Sequence, residues 1–105
     1  MTNNLPPTIN ITFTEEDVKT ALPFDSDTQC VVSTALRRMG YQDPSTNPSY
    51  VDIQGILYKP VDDGRDVLGP DFLYNSDDGA FSTPRRELVG TTITLKQKKQ
   101  YGQNI

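Results

Sequence analysis

Apolar and polar residues alternate strictly from Thr8 to Phe13. Ile9, Ile11 and Phe13 fall on one side, and Thr8, Asn10 and Thr12 on the other. A period of two predicts a strand with one face on a core and one in solvent. The pattern then breaks at Thr14-Glu15-Glu16-Asp17, which has the form of a capping box with Asp in place of the usual Glu. Three acids in the first turn suit the positive end of a helix dipole, and Pro23 stops this helix early. Asp25-Ser26-Asp27 offers N-caps for a second helix over Thr28–Met39. Within it Val31, Val32, Ala35, Leu36 and Met39 recur at helical spacing, Arg37 and Arg38 sit near the C-terminal end, and Gly40 suits the left-handed C′ position. Cys30 falls in the first turn of this principal helix.

Residues 43–49 have a loop composition. Tyr50–Tyr58 reads as a second strand, with Val51, Ile53 and Leu57 on one face. Tyr50, Asp52, Gln54, Ile56 and Tyr58 share the other, and Gly55 marks a bulge or a close backbone approach. Residues 59–69 form a turn-rich connection, tightest at Asp62-Asp63-Gly64. Pro70 can open a helical turn that closes near Asp78-Gly79, but the same dipeptide suits a hairpin tip, and both readings stay open. Glu87–Lys96 reads as the last strand, with Val89, Ile93 and Leu95 inward and Thr92 and Thr94 outward. The expected class is α+β: a small three-stranded, mainly antiparallel sheet packed against one principal helix. The order is strand, helix, helix, strand, short helix or turn, strand. One domain over residues 8–95 would lie between an N-terminal arm, 1–7, and a basic C-terminal tail, 96–105.

Charge divides the chain unevenly. Its 105 residues carry a net charge of −4 and no histidine. Residues 1–84 hold thirteen acidic and five basic side chains, whereas residues 85–105 hold Arg85, Arg86, Lys96, Lys98 and Lys99 against Glu87 alone. Without histidine no Ser-His-Asp triad or histidine relay can be assembled, so the chain is expected to be a non-enzyme. The single cysteine cannot close an intramolecular disulfide, which favours a reducing compartment. The start lacks the basic and apolar regions of a signal peptide. No apolar run approaches the roughly 20 residues that a membrane span needs. A soluble, intracellular protein without membrane contact is expected.

Most candidate chemistry fails on residue type. Counting back from Gly64 and Gly79 puts Lys59 and Tyr74 where a calcium loop needs its first oxygen ligand, so the aspartates there read as solvated turns. Cys30 near a helix start has no base to activate it, and carboxylate pairs such as Asp25 with Asp27 are expected by chance among fourteen acids. The seven glycines are dispersed and form no phosphate loop, so no cofactor is implied. What remains is the basic end. Arg85, Arg86, Lys96, Lys98, Lys99 and Tyr101 are the candidate binding residues, able to meet an acidic protein or to neutralise phosphates beside a stacking tyrosine. Nucleic acid is the less favoured partner, because a pI near 4.6 repels a polyanion at long range. Tyr41, Tyr50, Tyr58 and Tyr74 serve either an interface or the core margin.

The segment Cys30-Val31-Val32-Ser33-Thr34-Ala35-Leu36-Arg37-Arg38-Met39-Gly40, after Thr14-Glu15-Glu16-Asp17-Val18 and before Asp78-Gly79 and Pro84, resembles a group of small proteins of tailed bacteriophages and prophages. Their usual helix reads Cys-Pro-hydrophobic-Ala-Leu-Arg-Arg. This chain has Val31 where the proline is usual, and Asp77-Asp78-Gly79 lacks the preceding aromatic. The resemblance implies a phage origin. The expected function is that of a non-enzymatic accessory protein in the host cytoplasm, binding a host protein such as a defence or nucleic-acid enzyme. Two other readings stand beside it. One is a virion decoration or connector protein whose arms contact neighbouring subunits. The other is a sponge for a small anion, with Arg85, Arg86, Arg37 or Arg38 as phosphate clamps.

Overall fold

The computed structural model describes residues 5–22, 26, 28–61, 65–77 and 80–98. Elements follow in the order β1 (Thr8–Thr12), α1 (Glu15–Thr20), α2 (Val31–Arg38), β2 (Pro44–Thr46), β3 (Val51–Ile53), β4 (Ile56–Val61), α3 (Pro70–Leu73), β5 (Tyr74–Asp77), β6 (Ala80–Pro84), a 3-10 turn (Arg86–Leu88) and β7 (Thr92–Gln97). Five strands form one antiparallel sheet in the order β1-β7-β4-β3-β2, curled into a half-barrel, and β5 pairs with β6 apart from it. The class is α+β. The expected three-stranded sheet on one principal helix is overturned, because there are two sheets and three short helices among the described residues.

The largest departure lies in residues 50–58. Gln54 and Gly55 have φ of 54° and 89°, and Ile53 pairs with Ile56 across them. Two consecutive positive φ values make a tight two-residue hairpin turn, so the expected single strand is two strands. The Asp52 carboxylate fixes this turn by accepting the Gly55 N–H at 2.8 Å. Alternation continues across the turn but changes parity. Val51, Ile53 and Tyr58 are buried, with Ile56 packed beside them, whereas the unbroken strand put Ile56 and Tyr58 on the opposite face.

Two other segments differ from expectation. Pro44–Thr46, expected in a loop, is an edge strand, where a proline without an N–H is tolerated. The Glu87–Lys96 segment is split by the 3-10 turn and by Gly90 at φ 87°, and only Thr92–Gln97 is strand. Val89, expected inward, is exposed. The helical turn opened by Pro70 forms as α3 but ends at Leu73, and β5 and β6 then pair antiparallel on either side of residues 78–79, so both open readings hold in part. The tip residues themselves lie outside the described set. So do Asp25 and Asp27, two of the expected helix caps, and Cys30 takes the N-cap position of α2 instead.

The core lies between the inner face of the five-stranded sheet and α2. Ile9 and Ile11 of β1, Ile93 and Leu95 of β7, Tyr58 of β4 and Val51 and Ile53 of β3 meet Val31, Val32, Ala35 and Leu36 of α2. α1 starts from the expected capping box: the Thr14 hydroxyl accepts the Asp17 N–H, and the Asp17 carboxylate accepts the Thr14 N–H at 2.9 Å. Asp17 is buried and also receives the Arg38 Nε at 2.8 Å and Nη2 at 3.0 Å. One carboxylate therefore caps α1 and ties it to the end of α2. The Tyr74 hydroxyl makes a second tie. It accepts the Val31 N–H at 2.9 Å and donates to the Leu22 carbonyl at 2.7 Å, which roots the β5–β6 hairpin against the start of α2.

Candidate functional site

Parity along the strands fixes what the outer face of the main sheet presents. Thr8, Asn10 and Thr12 of β1 lie in register with Lys96, Thr94 and Thr92 of β7, and Lys59 and Val61 of β4 lie opposite Lys96 and Thr94. Two hydroxyl bridges order the neutral part. Thr12 Oγ1 and Thr92 Oγ1 are 2.8 Å apart, and the Thr94 hydroxyl donates to Asn10 Oδ1 at 2.8 Å. At the other end Lys59 and Lys96 stand directly opposite one another, both exposed. The Lys98 N–H donates to the Leu57 carbonyl at 2.8 Å, so the ladder holds a third exposed lysine beside the pair. Among the described residues no carboxylate lies within 4.0 Å of any of these three ammonium groups.

The adjacent arginines part company. Arg85 donates its Nε to the Asp71 carbonyl at 2.9 Å and lines a cleft with Arg65 and Phe72. Arg86 lines a separate cleft with Lys19 and Val18, and pairs with Glu15 at 3.1 Å. Both members of that pair are well exposed, so its contribution is small. Arg38 is committed to Asp17, a hydrogen bond that raises its pKa and keeps it charged. Arg37 donates to the Thr28 carbonyl. Neither residue of the α2 pair stands free as a phosphate clamp.

Of the candidate binding residues, Lys96 and Lys98 come together on the sheet, Arg85 and Arg86 lie in different clefts, and Lys99 and Tyr101 fall outside the described residues. Sequence reasoning missed Lys59, because the unrecognised turn at Gln54–Gly55 hid the strand that carries it to Lys96. Arg65 and Phe72 were missed as well, since they lie in a segment without periodicity. Tyr58 and Tyr74 are wholly buried and belong to the core, while Tyr41 and Tyr50 are half-buried. Cys30 is buried too, its thiol donating to the Ser33 hydroxyl at 3.7 Å. Among the described residues no group of three or more Cys, Asp or Glu side chains is placed to hold a metal ion, and no helix is long and apolar enough to cross a membrane. No protein-family model, curated protein or solved structure matches this chain.

Proposed function

We propose that this chain acts by binding rather than by catalysis, and that its partner is a protein with an acidic patch docked on the outer face of the five-stranded sheet. One observation carries the reading: Lys59 and Lys96 are exposed directly across from one another, with no carboxylate in reach among the described residues. Like charges opposite each other on neighbouring strands destabilise a sheet. An anionic partner relieves that repulsion, so the free protein is held ready for one. The face also offers exposed Val61 and an ordered row of threonines, a mixture of apolar, neutral and cationic groups that suits a protein surface better than a phosphate backbone. The net charge of −4 points the same way, since it opposes approach of a polyanion.

The resemblance of the 30–40 segment to phage and prophage proteins makes the infected bacterial cytoplasm the setting in which to look. The test uses the full chain and a Lys59→Gln/Lys96→Gln/Lys98→Gln variant as paired baits in host and infected-cell lysates. The expected result is a protein retained by the native chain and reduced at least about tenfold with the variant. Its retention should also weaken as salt is raised, while circular dichroism shows the variant folded. Equal retention by both baits overturns the reading. Loss of retention on nuclease treatment replaces the protein partner with nucleic acid, and stoichiometric copies in purified particles replace the accessory role with a virion one.

A further inference from the structure

A second site stands apart from the lysine face. A cleft of about 390 Å³ opens where α3 meets the 3-10 turn and the start of β7. That volume falls in the range of small-molecule sites, roughly 300–1,000 Å³. Arg65 holds its guanidinium 5.8 Å from the centre of the Phe72 ring. Phe72 is half-buried against the core, so the ring is a fixed platform. Arg85 lines the same cleft and is anchored through Nε to the Asp71 carbonyl, and its two terminal amino groups have no hydrogen-bond partner among the described residues. Neither guanidinium has a carboxylate within 4.0 Å among the described residues. Two arginines, one braced on an aromatic ring and one on a backbone carbonyl, form a preorganised receptor for an oxyanion.

The remaining walls narrow the class. Leu88, with the part of Phe72 that Arg65 leaves uncovered, supplies apolar surface against which a flat ring can lie. Asp71 and Glu87 bring two acids into the same cleft, acceptors for hydroxyl or amino hydrogens on a ligand. They also balance the two arginines, so the cleft favours a ligand whose negative charge within it is confined to one terminal group. We infer that this cleft binds a nucleoside monophosphate, its phosphate held by Arg65 and Arg85 and its ring laid against Leu88 and the part of Phe72 that Arg65 leaves uncovered. The same chemistry is offered by a free nucleotide and by the 5′-phosphorylated end of a strand.

Isothermal titration of the full chain tests this, with AMP, UMP, adenosine, inorganic phosphate and a 5′-phosphorylated trinucleotide as probes. Saturable one-to-one binding of a nucleoside monophosphate is expected. Adenosine and inorganic phosphate, each lacking half of the recognised group, should bind at least about tenfold more weakly. Arg65→Ala changes an exposed side chain and should cost about tenfold or more, as should Arg85→Lys, which keeps the charge but loses the planar fork. Lys59→Gln/Lys96→Gln should leave the affinity unchanged, which separates this cleft from the sheet face. Preference for AMP or UMP over the trinucleotide identifies a free nucleotide as the source, and the reverse identifies a strand end. Absence of saturable binding by every probe, equal binding of inorganic phosphate, or an unaltered Arg65→Ala affinity overturns the inference.

Discussion

The two faces of the five-stranded sheet are made from alternate residues of the same strands, and they are built to opposite specifications. Inward, Ile9 stands opposite Leu95, and Ile11 opposite Ile93, all four buried. Outward, the residues between them are Thr8, Asn10, Thr12, Thr92, Thr94 and Lys96, held by hydroxyl contacts or left unpaired. The backbone register is common to both faces, so the difference is entirely one of side-chain environment. The inner face is where stability resides. The outer one can carry charge that is unfavourable in the free protein because the fold does not depend on it.

Substitutions in neighbouring positions measure how far that division holds. Leu95→Ala removes a fully buried side chain from the centre of the inner face, and urea unfolding should show a loss of about 2–5 kcal/mol. A loss below about 1 kcal/mol would show the inner face to be less tightly packed than its burial implies. Tyr58→Phe keeps the ring but takes the donor from the Pro6 carbonyl, 2.6 Å away, and should cost about 1–2 kcal/mol. Burial raises the Tyr58 pKa above its ordinary value of 10.0, so the unfolded chain loses this proton first. Its contribution is therefore complete below pH 10 and lost as pH rises through the higher folded value, a dependence that Tyr58→Phe should abolish. Thr12→Val, one residue from the buried Ile11, trades an exposed hydroxyl contact for a methyl and should stay within about 0.5 kcal/mol of the native chain. A larger change in either direction would make the outer hydroxyl row part of what holds the sheet.

Much of this was legible in the sequence where the period is clean. β1 follows from its strict alternation, the capping box at Thr14 from its residue types, and Gly40 from its place after α2, with φ at 103°. The largest failure has a local cause. Gln54 and Gly55 each take a positive φ, and only the glycine announces it, so a hairpin looked like one interrupted strand and the parity of Ile56, Leu57 and Tyr58 was inverted. That same error concealed Lys59, and with it the basic pair that defines the outer face. Contacts between distant segments are a different matter. The pairing of Asp17 with Arg38 needs two helix ends brought together in space, and neither residue's local surroundings signal it. The Arg65–Phe72–Arg85 cleft likewise joins residues whose only relation is tertiary.

The position of β7 has a consequence for how the molecule forms. It lies between β1 and β4, yet it is the last of these strands to be synthesised. Until it arrives, β1 has no partner and the β2–β3–β4 meander presents the edge of β4 with its hydrogen-bonding groups unsatisfied. Thr8 meets Lys96 only after the intervening chain exists, so formation of the sheet waits on a long-range closure, which slows folding. The nascent chain thus passes through an interval with an open strand edge, the kind of surface on which other extended segments add.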